Sequence, residues 1–275
     1  MGGRFCLAAF VVASAGVFAA CAEGDELLVA SPARRDAITF ETSARVRFVA
    51  TEIAFRGDRP KAWDEIVSPE FRASLRILSG LFEGKLEVGA LADRFAQYEI
   101  IDVDQVRGEA QLGLNTGAWS FLLEWKARNV FEPGLDEFIA GQNSYALRVR
   151  DRFALRGFAD LPSALCQASL AGGYAAATPR LMARDFAEIE LEVLQPLGNG
   201  FALMVSPKLE LADYLAFPGE REDAIVSVKL VPSYRFEGGV MLSLEAQAMF
   251  AFSTLDSKTG ETWELTPLFR LQKAL

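Results

Sequence analysis

Five consecutive segments of the C-terminal half obey one rule, an alternation of apolar and polar side chains. Ala187, Ile189, Leu191 and Val193 alternate with Glu188, Glu190 and Glu192. Phe201, Leu203, Val205, Pro207 and Leu209 alternate with Ala202, Met204, Ser206, Lys208 and Glu210. The rule continues through Val226–Phe236, Val240–Phe252 and Trp263–Leu271. A period of two puts successive side chains on opposite faces of a strand. Turn residues punctuate the segments at 196–200, 212–223, 237–239 and 256–261. Consecutive half-buried strands joined by polar turns, with no helical pattern between them, read as antiparallel neighbours rather than βαβ units.

The N-terminal half follows the rule less regularly. Thr42, Ala44, Val46, Phe48 and Ala50 alternate with Ser43, Arg45, Arg47 and Thr51. Phe71, Ala73, Leu75 and Ile77 alternate with Arg72, Ser74 and Arg76, and Leu86, Val88 and Ala90 follow as a hairpin partner. Segments 106–114 and 119–127 read as a hairpin over Asn115-Thr-Gly117, with Trp119, Phe121, Leu123 and Trp125 on one face and Ser120, Glu124, Lys126 and Arg128 on the other. Tyr145, Leu147, Val149 and Phe153 form a further apolar face, interrupted by Asp151. Segment 161–178, rich in Ala and Gly, reads as a strand rather than a short helix, and 91–104 has no assignment.

Segment length decides what the apolar face meets. Strands of soluble domains run about five or six residues, whereas a tilted strand needs about 9–11 to cross a bilayer. The long segments here favour apolar faces turned to lipid and polar faces turned inward, rather than a soluble sandwich or lipocalin-like barrel. The predicted fold is all-β, a membrane-spanning antiparallel up-and-down β-barrel of about 12 strands, with ten as the alternative. It occupies 38–275, after a signal peptide over 1–22 and a linker over 23–37. Trp119, Trp125, Phe201, Tyr234, Phe236, Phe250, Phe252, Trp263 and Phe269 are placed near strand ends, as interfacial aromatic girdles require. Pro207, Pro232 and Pro267 fall on apolar faces, and a lost ladder hydrogen bond should confine them to strand ends near the membrane boundary.

At the N-terminus an uncharged run from Phe5 to Ala20 follows Arg4, and Ala20-Cys21-Ala22 has the small-x-small form of a signal-peptidase site. Val17-Phe18-Ala19-Ala20-Cys21 also approximates a lipobox, which would make Cys21 a lipidation site. Cleavage after Ala22 leaves 27 basic and 37 acidic side chains, a net charge of −10, and Cys166 as the remaining thiol. This acidity argues against nucleic acid as a partner.

Among 275 residues there is no histidine, which removes the commonest general base and metal ligand. Cys166 lacks an activating neighbour, and no phosphate loop or metal motif is present. An enzyme, a cofactor and a metal are therefore not expected.

By this pattern the chain resembles small bacterial outer-membrane β-barrel proteins. The resemblance implies the outer membrane as location, with its lipid and the barrel-assembly machinery as partners. Such proteins commonly end in an aromatic residue read by that machinery, whereas this chain ends Lys273-Ala274-Leu275. The candidate lumen residues are Arg45, Arg47, Arg72, Arg76, Arg148, Arg150, Arg152, Glu188, Glu190, Glu192, Lys208, Glu245 and Glu264. Two arrangements follow: a narrow barrel filled by interlocking Arg–Glu pairs, which is favoured, or a constriction with Arg on early strands facing carboxylates on later ones. The expected role is accordingly a narrow channel for small polar solutes or an envelope structural protein. Alternatives are a secreted or lipid-anchored soluble β-barrel holding a hydrophobic ligand, and an adhesin acting through loops such as 132–143.

Fatty-acid labelling tests the processing site. Label that is lost in Cys21→Ala establishes lipidation, and a mature N-terminus at Glu23 establishes ordinary signal-peptide cleavage.

Overall fold

The alternation is realised as twelve strands: β1 (Ala37–Ile53), β2 (Ala62–Ser79), β3 (Phe82–Phe95), β4 (Val103–Thr116), β5 (Trp119–Phe131), β6 (Phe138–Leu155), β7 (Ala164–Thr178), β8 (Arg184–Gly198), β9 (Phe201–Tyr214), β10 (Arg221–Arg235), β11 (Val240–Ser253) and β12 (Gly260–Ala274). The computed structural model describes residues 37–53, 62–96, 102–116, 119–155, 162–218, 220–236, 240–255 and 259–274. The predicted signal peptide, Cys21 and most of the linker lie outside the described residues. Each strand pairs antiparallel with its neighbours in sequence, and β1 closes on β12 from Thr39↔Ala274 to Thr51↔Thr262. A closed barrel leaves no sheet edge, so its backbone hydrogen bonds are made internally. The ten-strand alternative is thereby set aside.

The unassigned segment 91–104 divides into the end of β3, a connection and the start of β4. Segment 161–178 contains β7, as the strand reading expects. The tightest connections lie at the end of the barrel where β1 begins and β12 ends. There Asn199 and Gly200 have φ of 51° and 82°, the pair of positive values that a type I′ hairpin turn demands. At the opposite end the longer connections remain short. The segment 132–143 is not a loop: its residues 138–143 belong to β6, leaving 132–137 as the connection.

The two faces separate as the period-two rule dictates. Leu112, Leu123 and Val88 are 70%, 64% and 64% exposed on the outside. Aromatic residues gather toward both ends of this outer belt: Phe201, Tyr234 and Phe236 pack at centroid distances of 4.5 and 4.6 Å, and Phe250 meets Trp263 at 6.0 Å. Trp125 departs from the expected girdle, since it sits in the middle of β5. Strands of 13–18 residues exceed what a bilayer needs. The surplus projects beyond the apolar belt, where Glu65, Asp104, Asp185, Asp213, Glu222 and Glu261 form an outward collar at the end where β1 finishes and β12 begins.

The prolines correct the sequence expectation. Pro207 and Pro267 lie mid-strand, not at strand ends. Each instead coincides with an interruption in one ladder: Pro207 in β8–β9 between Glu190↔Lys208 and Val193↔Val205, Pro267 in β1–β12 between Arg45↔Leu268 and Phe48↔Leu265. Pro232 interrupts β10–β11 and Pro69 interrupts β2–β3 in the same way. A residue in a strand directs its N–H to one neighbour, so losing that donor opens one ladder and leaves the other continuous.

Inside the wall, the side chain of Leu122 is fully buried. It fits because Gly113, its cross-strand partner on β4, has no side chain; a Cβ there would lie 2.3 Å from Leu122 Cδ2. Gly113→Ala should cost about 1–3 kcal/mol of unfolding free energy through overpacking. Urea unfolding in detergent measures this, and Leu122→Ala in the same chain should recover part of the loss.

Candidate functional site

Below that collar, polar residues of the strands converge on the lumen, and the register explains how they meet. Leu122, Arg148, Ala171 and Glu188 are successive cross-strand partners on β5 to β8. The small Ala171 lets the Arg148 guanidinium lie across β7 and reach two strands onward. Its Nη2 donates to Glu188 Oε1 at 2.7 Å, its Nε to Glu124 Oε1 at 2.8 Å, and its Nη1 to Ser169 Oγ at 3.0 Å. Lys208 lies 2.5 Å from Glu188 and 3.4 Å from Glu210, which Arg184 joins at 2.8 Å. Arg150 and Lys126 approach Glu124 at 3.5 and 3.4 Å. Charges this deeply placed persist because each has an opposite charge within 4 Å.

A second network centres on Glu70, whose side chain is fully enclosed. It accepts from Arg45 Nε at 2.7 Å and from Arg72 Nε, with Arg107 at 3.9 Å. Arg72 also reaches Glu87 at 3.3 Å, and Lys85 connects Glu87 at 2.9 Å to Glu109 at 3.6 Å. Glu245 lies 4.0 Å from Arg45. Beside them Arg47 grips Glu264 through two parallel bonds of 2.9 and 2.8 Å, the bidentate geometry that gives Arg–carboxylate pairs their strength. Nearer the ends, Arg76 meets Glu83 at 2.7 Å, and Arg152 donates to Gln167 Oε1 at 3.1 Å. Gln167 Nε2 donates to Glu192 at 2.9 Å, and Ser206 Oγ to Glu190 at 2.8 Å.

All thirteen candidate residues therefore face inward, but their arrangement differs from either expected one. The early strands carry their own carboxylates, Glu70, Glu83, Glu87 and Glu124, so no Arg face opposes a Glu face across the lumen. Every lumen ion pair among the described residues joins groups on one strand, on neighbours, or on strands two apart. The networks follow the wall instead of interlocking across the middle. Between them the lumen holds cavities of about 180, 300 and 300 Å³. The first adjoins Arg148 and Lys208, the second Arg72 and Arg128, the third Glu41 and Lys229.

Glu70 was the residue hardest to find from sequence. It continues the polar series Ser68, Arg72, Ser74 and Arg76, but Pro69 beside it masks the strand. Extending the alternation through the proline would have included it.

Arg148 organises the largest network, so Arg148→Met should cost about 3–5 kcal/mol by leaving Glu124 and Glu188 short of a partner. Adding Glu188→Gln should restore part of it, as a double-mutant cycle of urea unfolding will show.

No family model matches the sequence, and no curated protein matches it either. In fold it is similar to an outer-membrane channel from Pseudomonas putida F1, with TM-score 0.54 and 8% identity over 87% of this chain and 96% of that one. It is likewise similar to the translocator domain of the autotransporter NalP from Neisseria meningitidis, with TM-score 0.50 and 10% identity over 88% and 91% of the two chains. The chain folds as a closed twelve-stranded β-barrel of the outer-membrane type.

Proposed function

We propose that this barrel resides in a bacterial outer membrane and passes small polar solutes through a narrow, charge-lined lumen. The observation that carries the reading is the course of the ion-pair networks along the wall, with cavities left between them. Charges held by neighbours on the same wall are fixed without a bridge across the path, and fixed charges are what select solutes in a pore. The exposed apolar belt between aromatic clusters supports a lipid surround, which water would make untenable at this size. Lipid is thus the outer partner, and the barrel-assembly machinery would install it. Connections of about six residues offer little to an adhesin, and a lumen lined with charge suits a hydrophobic ligand poorly.

Planar-bilayer recording of the folded, detergent-purified protein tests the proposal. Discrete conductance steps are expected, and their absence from verified folded barrel would overturn passage and leave a structural role. Migration on SDS gels that changes on boiling verifies the fold, and a mature protein that stays soluble without detergent would sink the membrane assignment.

A further inference from the structure

One cross-strand row of the lumen breaks the pattern of paired opposite charges. Arg72 on β2 faces Gly89 on β3, Gly89 faces Arg107 on β4, Arg107 faces Arg128 on β5, and Arg128 faces Gln142 on β6. Like charges directly opposite on antiparallel strands destabilise a sheet, so Arg107 against Arg128 asks for a compensating group. The nearby carboxylates are already engaged. Glu70 is bonded to Arg45 and Arg72 and reaches Arg107 only at 3.9 Å, Glu87 is shared by Arg72 and Lys85, Glu109 lies beside Lys85, and Asp93 accepts from Ser68 Oγ at 2.5 Å and from Gln105 Nε2. Arg128 has no carboxylate within 4.0 Å among the described residues. Its Nε donates to Gln105 Oε1 at 2.8 Å, and Arg107 Nη2 donates to the same oxygen at 3.0 Å, so one neutral amide serves two guanidinium groups. Arg107 Nε is buried and has no hydrogen-bond partner among the described residues.

These groups open onto a cavity of about 300 Å³. Its wall carries four cations, Arg72, Arg107, Lys126 and Arg128, against two carboxylates, Glu87 and Glu109, so it holds a surplus of positive charge in a chain of net charge −9. Gly89 keeps the floor clear: a Cβ there would lie 3.1 Å from Arg72 Cγ and crowd the row. Guanidinium forks with free N–H edges match the planar oxygens of carboxylates and the tetrahedral oxygens of phosphate.

We propose that Arg72, Arg107 and Arg128 form an oxyanion-binding site in the lumen, which takes the carboxylate or phosphate group of a small solute. The site deepens the conduit reading by naming the solute class, and it rests on that reading only for passage. Inorganic phosphate and succinate titrated calorimetrically into the folded, detergent-purified barrel test it. Either anion should bind the wild type and bind Arg107→Gln/Arg128→Gln about tenfold or more weakly, while Arg235→Gln, at the far end of β10, should bind as the wild type does. Arg128→Lys, which keeps the charge and loses the fork, gives the same comparison should the double variant fail to show heat-modifiable migration. No binding of either anion by the wild type, or equal binding by the folded variants, overturns the site. In a salt gradient across a bilayer, the wild type should prefer anions more than the double variant does. Binding without conductance would uphold the site and overturn the conduit; conductance without binding would do the reverse.

Discussion

The closure of β1 onto β12 is the contact on which the remaining structure depends. In hydrocarbon a peptide group has no water to turn to, so an open sheet would leave two rows of donors and acceptors unsatisfied. Closing the sheet removes both rows at once, and it also creates the inside. Once an inside exists, the second position of every period-two repeat is committed to it. The polar half of the sequence is then concentrated into a space a few side chains wide. The chemistry of the lumen is a consequence of satisfying the backbone.

That concentration imposes its own accounting. Arg148 carries two carboxylates and a hydroxyl, and Glu70 carries two guanidinium groups, because a lone buried charge would be expelled or neutralised. Small residues set the reach of these networks. Ala171 lets Arg148 span β7, Gly89 leaves space between Arg72 and Arg107, and Gly113 receives Leu122. The prolines show the same economy on the outer face, since each opens one ladder while the neighbouring ladder holds its strand in register.

Much of the fold was legible in the sequence because alternation and turn residues are local signals. The segments from Ala187 to Leu271 needed little more than the period of two. The region around Pro69 was harder, since the proline interrupts the pattern that would have joined Ser68 and Glu70 to Arg72. Which residues share the lumen was readable strand by strand. Which of them touch was not, because register between strands is absent from any single strand's pattern. The opposition of Arg107 to Arg128 arises from the pairing of β4 with β5, and the bridge from Arg148 to Glu188 from two successive registers. Mid-strand prolines escape a strand-by-strand reading for a related reason: the sheet absorbs their cost in one ladder.

The collar of Glu65, Asp104, Asp185, Asp213, Glu222 and Glu261 gives the molecule a polarity that its symmetrical wall does not suggest. Carboxylates on a lipid-facing surface are tolerated at the boundary and resisted at mid-depth. In a bilayer, turning such a barrel over would drag all six groups through the hydrocarbon together, so an acidic rim of this kind works as a one-way stop set by chemistry rather than by shape.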